Sequence, residues 1–125
     1  MAQALAVCLC VLLLSSCGGD GTATRTLTPA DFGTTRTVGL HELVVLELPE
    51  NPSTGFTWRQ SWTPETALGM TWEYQTSAAQ TGGGGTRCFV YETLERGQAT
   101  ITVQYGRWWE GGDRDEPQTI TLNVR

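Results

Sequence analysis

Apolar side chains in this chain recur every second residue, in runs too short and too regular for helices. Ala99-Thr100-Ile101-Thr102-Val103-Gln104-Tyr105 alternates apolar with polar, and Thr119-Ile120-Thr121-Leu122-Asn123-Val124 does so again. A period of two places one set of side chains on one face of an extended chain, so each run reads as a strand with one buried and one wet face. That is the pattern of an antiparallel sheet packed on one side only. Thr34–Val38 is a short β-branched run, and Leu43–Leu48 is apolar enough to be buried on both faces. Phe56-Thr57-Trp58 opens another strand with both aromatics on one side. Met70, Trp72 and Tyr74 alternate with Thr71, Glu73 and Gln75, and Arg87–Leu94 follows.

Turn formers separate these runs: Gly39, Pro49 to Pro52, Pro64, Gly82 to Gly85, Gly97, and Gly111 to Gly112. Trp62 to Gly69 has room for one helical turn, and no longer helical period occurs. About seven short strands with turns between them predict an all-β fold, an immunoglobulin-like antiparallel β-sandwich. A small barrel is the alternative. Trp58 or Trp72 is expected to serve as the mid-strand core tryptophan.

The N-terminus reads differently. Leu5–Leu14 is an almost unbroken apolar run, too short to span a bilayer and suited to the central region of a secretory signal. It ends in Leu14-Ser15-Ser16-Cys17, which resembles the processing site of bacterial lipoproteins; the segment before it, Met1 to Leu5, lacks the usual Lys or Arg. The expected organisation is a lipoprotein signal peptide over residues 1–16, lipidation at Cys17, a Gly- and Thr-rich flexible tether over 17–24, and one domain over 25–125. The expected location is the bacterial cell envelope, with a multiply acylated terminus as the membrane anchor. Cys88 is then the domain's one cysteine, expected to be a small buried hydrophobe, with no disulfide possible inside the domain.

Charge and residue types exclude several functions. The net charge is −5, every basic residue is Arg, and none clusters, which argues against a nucleic-acid partner. His41 is the single histidine and has no nucleophile suggested nearby. Carboxylates at Glu47, Glu50, Glu65, Glu73 and Glu92 are scattered, so a hydrolase with a carboxylate pair has little support. No metal-ligand spacing is present. Gly82 to Gly85 precedes a strand rather than a helix, unlike a phosphate-binding loop.

Three segments between strands stand out. In Asn51-Pro52-Ser53-Thr54-Gly55-Phe56, Pro52 fixes its own φ and Gly55 permits a turn back into the next strand, giving a stiff tip with two hydroxyls. Gly82-Gly83-Gly84-Gly85-Thr86 is either a loose connector or a stretch where backbone can approach another chain closely. Arg107-Trp108-Trp109 ends a strand. Two adjacent tryptophans cannot both face inward on an extended chain, so at least one is expected in solvent, where Trp and Arg dominate interface hot spots.

Together these segments resemble the chagasin-type inhibitors of cysteine peptidases. The order Asn-Pro-x-Thr-Gly-aromatic, Gly-x-Gly-Gly, Arg-x-Trp carries the likeness, supported by Leu46-Glu47-Leu48-Pro49 and Tyr105, from about Leu40 to Val124. The resemblance implies a monomeric, non-enzymatic, cofactor-free inhibitor of papain-family cysteine peptidases, reversible and competitive with substrate. Its three loops would form one wedge in the active-site cleft. Asn51 to Phe56 would enter near the peptidase's catalytic cysteine, Thr54 closest. Gly82 to Thr86 would run along the substrate side through backbone contacts, and Arg107 and Trp109, with Trp108 between them, would pack opposite. Two positions depart from the family pattern. Ser53 stands where Thr is common, and Trp108 where many members have Pro, so the third loop is expected to be more mobile or differently shaped. The alternative function is an immunoglobulin-like envelope binding or adhesion module without peptidase inhibition.

Overall fold

The computed structural model describes residues 24–76, 84–109 and 111–125. Among the described residues, eight strands form two four-stranded sheets: β1 (Thr24–Leu27), β2 (Thr35–Val38), β3 (Leu43–Glu50), β4 (Thr57–Thr63), β5 (Leu68–Thr76), β6 (Gly85–Thr93), β7 (Gly97–Gly106) and β8 (Gln118–Val124). One sheet has the order β1-β3-β6-β5 and the other β2-β8-β7-β4. Within each, the pairings are antiparallel except those of the edge strands β1 with β3 and β2 with β8. The two sheets enclose a single core of Val44, Leu46 and Leu48 from β3, Phe89 and Tyr91 from β6, Ile101 and Val103 from β7, and Ile120 and Leu122 from β8. The period-two runs thus form a sandwich as expected. Tyr91 keeps its hydroxyl in this interior by donating to Gln60 Oε1 at 2.9 Å, and burial raises its pKa far above the usual phenol range.

Four details differ from the sequence reading. Thr24-Arg25-Thr26-Leu27 forms an additional strand, its one apolar residue, Leu27, entering the core. Pro64 to Ala67 makes a turn, closed by Ala67 N–H donating to Pro64 O at 3.1 Å, and the chain is already in β5 at Leu68. The alternation of Met70, Trp72 and Tyr74 is broken by a bulge: Met70 pairs with Tyr91 but Trp72 with Val90. One extra residue reverses the facing of everything after it. Met70 therefore packs on the core while Trp72 is 59% exposed, and the core tryptophans are Trp58 and Trp62.

The fourth correction concerns Cys88. It is fully buried, but on the outer face of its sheet, in a small cluster with Val45 and Val90 flanked by Leu43 and Tyr74. It is also disulfide-bonded, and since it is the only cysteine among the described residues, its partner lies outside them. Burial on this face raises the pKa of Glu47, and burial together with the Glu47 charge raises that of Tyr74. No helix among the described residues is long and apolar enough to cross a membrane.

Candidate functional site

The three segments meet at one end of the sandwich because of how the strands run. β3 ends at Glu50 and enters the first segment, which exits into β4. β6 starts at Gly85, opposite Glu50, so the second segment arrives beside the first. β7 ends at Gly106, opposite Thr57 at the start of β4, which sets the third segment on the other side.

The first segment is a 3-10 turn over Pro52–Thr54, organised by Asn51. The Asn51 carbonyl accepts from Thr54 N at 3.1 Å and Thr54 Oγ1 at 2.8 Å, and its side-chain Oδ1 accepts from Ser53 Oγ at 2.6 Å. A short polar side chain bonding two residues ahead is the usual way Asn nucleates a turn. Gly55 closes the turn at φ +83, a backbone region that costs a side chain strain. Phe56 and Trp58 both stack on Tyr105, at 5.2 and 4.7 Å between ring centroids, which bears out their shared side.

Beneath this tip lies a group that the sequence reading counted only among the scattered carboxylates. Glu50 is 2% exposed, and its carboxylate accepts from Trp58 N at 3.0 Å, Gln75 Nε2 at 2.8 Å, Arg87 Nη2 at 2.8 Å and Arg87 Nε at 3.2 Å. Arg87 also reaches Glu73 at 3.1 Å. A buried carboxylate is tolerable only with its lone pairs filled, and here four donors fill them. Glu50 precedes the first segment and Arg87 follows the second, so the pair ties the two roots together. The signal was present in the sequence: Glu50 continues the inward register of Val44, Leu46 and Leu48.

Gly84 sits against the first segment, where a Cβ would lie 3.3 Å from Glu50 O and 3.6 Å from Asn51 Cβ. Gly85 and Thr86 belong to β6, paired with Glu50 and Pro49. Gly82 and Gly83 lie outside the described residues, as does Cys17.

The third segment is closed by Arg107 N–H donating to Asp113 O at 2.7 Å and Gly112 N–H to Trp109 O at 3.0 Å. A Cβ on Gly112 would lie 2.5 Å from Arg107 Cβ, so this closure needs glycine. Arg107 Nε donates to Thr54 O at 3.2 Å, and the guanidinium lies 5.1 Å from the centre of the Phe56 ring. The Trp109 indole lies against Gly55, where a Cβ would be 3.6 Å away, and is 57% exposed. Tyr105 Oη accepts from Asn51 N at 3.1 Å, which joins the third root to the first. Asn51, Thr54, Gly55, Phe56, Gly84, Arg107 and Trp109 are thus gathered on one rim, with the first segment in the middle. Trp108 turns away from them onto the outer face of the β4–β7 sheet, where its Nε1 donates to Thr57 O at 2.9 Å.

Comparison with known proteins gives the family of the chain. The family model described as "Chagasin family peptidase inhibitor I42" matches residues 37–124. Chagasin from Trypanosoma cruzi is 32% identical over 105 residues, covering 78% of this chain and 96% of that protein. Among solved structures, the cysteine protease inhibitor EhICP2 from Entamoeba histolytica aligns with a TM-score of 0.75 at 24% identity, over 86% of this chain and all of that one. The solution structure of amebosin aligns at 0.67 and 25% identity, over 84% of this chain and all of that one. PbICP-C, solved in complex with falcipain-2, aligns at 0.57 and 15% identity, over 86% of this chain and 95% of that one. The chain belongs to the chagasin family of cysteine peptidase inhibitors.

Proposed function

We propose that this protein is a reversible, substrate-competitive inhibitor of papain-family cysteine peptidases, and that its three segments enter the active-site cleft as one wedge. The observation that carries this is the set of ties across the rim: Glu50 to Arg87, Asn51 to Tyr105, and Arg107 to Thr54. A surface ordered before docking loses little conformational entropy on binding. Thr54 and Ser53 are exposed at the tip and spend their hydroxyls on the turn itself, which stiffens it. Trp109 and Arg107 supply aromatic and guanidinium area on one flank. An interface of this kind would bury roughly 800 Å² per partner. A protein of the same fold, PbICP-C, has been solved in complex with falcipain-2, which is in keeping with the reading.

The test is a titration of the purified protein against papain with a fluorogenic peptide substrate. The apparent inhibition constant is expected to rise linearly with substrate concentration, and activity to return on dilution. No inhibition of several papain-family enzymes at micromolar protein would leave the binding-module alternative ahead.

We also propose that a lipid on Cys17 anchors the protein in a bacterial envelope, on the strength of the apolar run and the Ser15-Ser16-Cys17 boundary. Cys17→Ala is expected to move the protein from the membrane to the soluble fraction, and unchanged membrane association would count against the anchor. One sulfur cannot carry both a lipid thioether and a disulfide, and Cys8 and Cys10 would leave with the signal peptide, so the lipid anchor and an intrachain Cys88 disulfide exclude each other in the mature protein.

A further inference from the structure

We infer that Trp108 is a positioning residue, a latch that fixes the third segment to the β4–β7 sheet and thereby sets how Trp109 is presented. The inference rests on the inhibitory reading above for its effect on a peptidase, but the latch itself is a property of the free protein. Three contacts define it. The indole N–H donates to Thr57 O at 2.9 Å, the Arg59 guanidinium carbon lies 4.6 Å from the ring centre, and that of Arg114 lies 4.7 Å from it. These partners come from distinct places. Thr57 and Arg59 belong to β4, just past the first segment, and Arg114 bridges to Gly106 at the far foot of the third.

Trp108 is therefore held at the far foot of its own loop, by Arg114, and at the exit of the neighbouring one, by Thr57 and Arg59. It is not a member of the core cluster. It borders an open hollow lined by Arg59, Gln60, Ser61, Thr102 and Gln104, so cation–ring stacking and one hydrogen bond hold it, rather than enclosure. With Trp108 pinned against the sheet, Trp109 is left on the rim against Gly55. A tryptophan without proline's fixed φ thus acquires a fixed orientation from its surroundings.

A latch and a contact leave different kinetic traces. Loosening a latch lowers the fraction of free molecules in the binding-competent shape and weakens apparent affinity by that fraction, which falls on association. Losing a contact speeds dissociation. Trp108→Ala, and separately the double variant Arg59→Ala/Arg114→Ala, are each expected to raise the inhibition constant for papain about tenfold, mostly through slower association. Trp108→Phe, which keeps a ring but loses the N–H, is expected to fall between these and the parent.

The second readout needs no peptidase. In protein labelled with 5-fluorotryptophan, the double arginine variant is expected to shift the fluorine resonances of Trp108 and Trp109. Those of Trp58, Trp62 and Trp72 should stay in place. An unmoved Trp109 resonance, an unchanged inhibition constant in Trp108→Ala, or a loss carried by dissociation alone would each overturn the latch. If the parent protein inhibits no peptidase, the inhibitory reading fails while the fluorine spectrum still decides the latch.

Discussion

Glu50→Ala is expected to lower the unfolding free energy by about 3 kcal/mol, the lower end of the cost of breaking a buried ion pair. The lower end applies because Arg87 keeps 20% of its side chain in water and retains Glu73 as a partner. The loss has three parts. Arg87 is left with a mostly buried charge, Trp58 N and Gln75 Nε2 lose their acceptor, and a cavity opens under the first segment. Glu50→Gln, which keeps two polar atoms in place, should lose less. Urea unfolding of the three proteins measures this, and a loss below about 1 kcal/mol for Glu50→Ala would show that the carboxylate is not a support. Inhibition should weaken in the same order, since this group ties the first segment to the second.

Trp109→Ala is expected to raise the inhibition constant for papain roughly 30-fold, about 2 kcal/mol, while changing stability by no more than about 0.5 kcal/mol. The contrast follows from exposure. A ring 57% in solvent contributes little to the fold but offers a partner a large, rigid apolar surface, held in place by Gly55 beneath it and Arg107 beside it. The change should appear mainly as faster dissociation. An unchanged constant would mean that the third segment stays outside the interface.

Most strands could be read from period two alone, because one buried face leaves its mark on every second residue. β1 could not, since Thr24-Arg25-Thr26-Leu27 carries one apolar residue and gains its place by pairing along the edge of β3. The bulge after Met70 was equally hidden: one residue reverses the facing of Trp72 and leaves no compositional trace. The rim residues emerged from their resemblance to a family, each segment alone being an ordinary turn, glycine run or strand end. Glu50 was legible in principle, as a carboxylate in an apolar register. Trp108 was not, because its orientation depends on Arg59 and Arg114, far apart in sequence and brought together only by the sheet.

The parallel pairing of β1 with β3 sets Thr24 opposite Leu43, and β3 then runs the full height of the sandwich before it reaches the rim at Glu50. Val124, opposite Gly97, ends at that same lower pole. The chain therefore enters and leaves through the base of the domain, and the rim forms its crown. Asn51 to Phe56 lie at the opposite pole from both Thr24 and Arg125, so a partner reaches the crown without passing either of them.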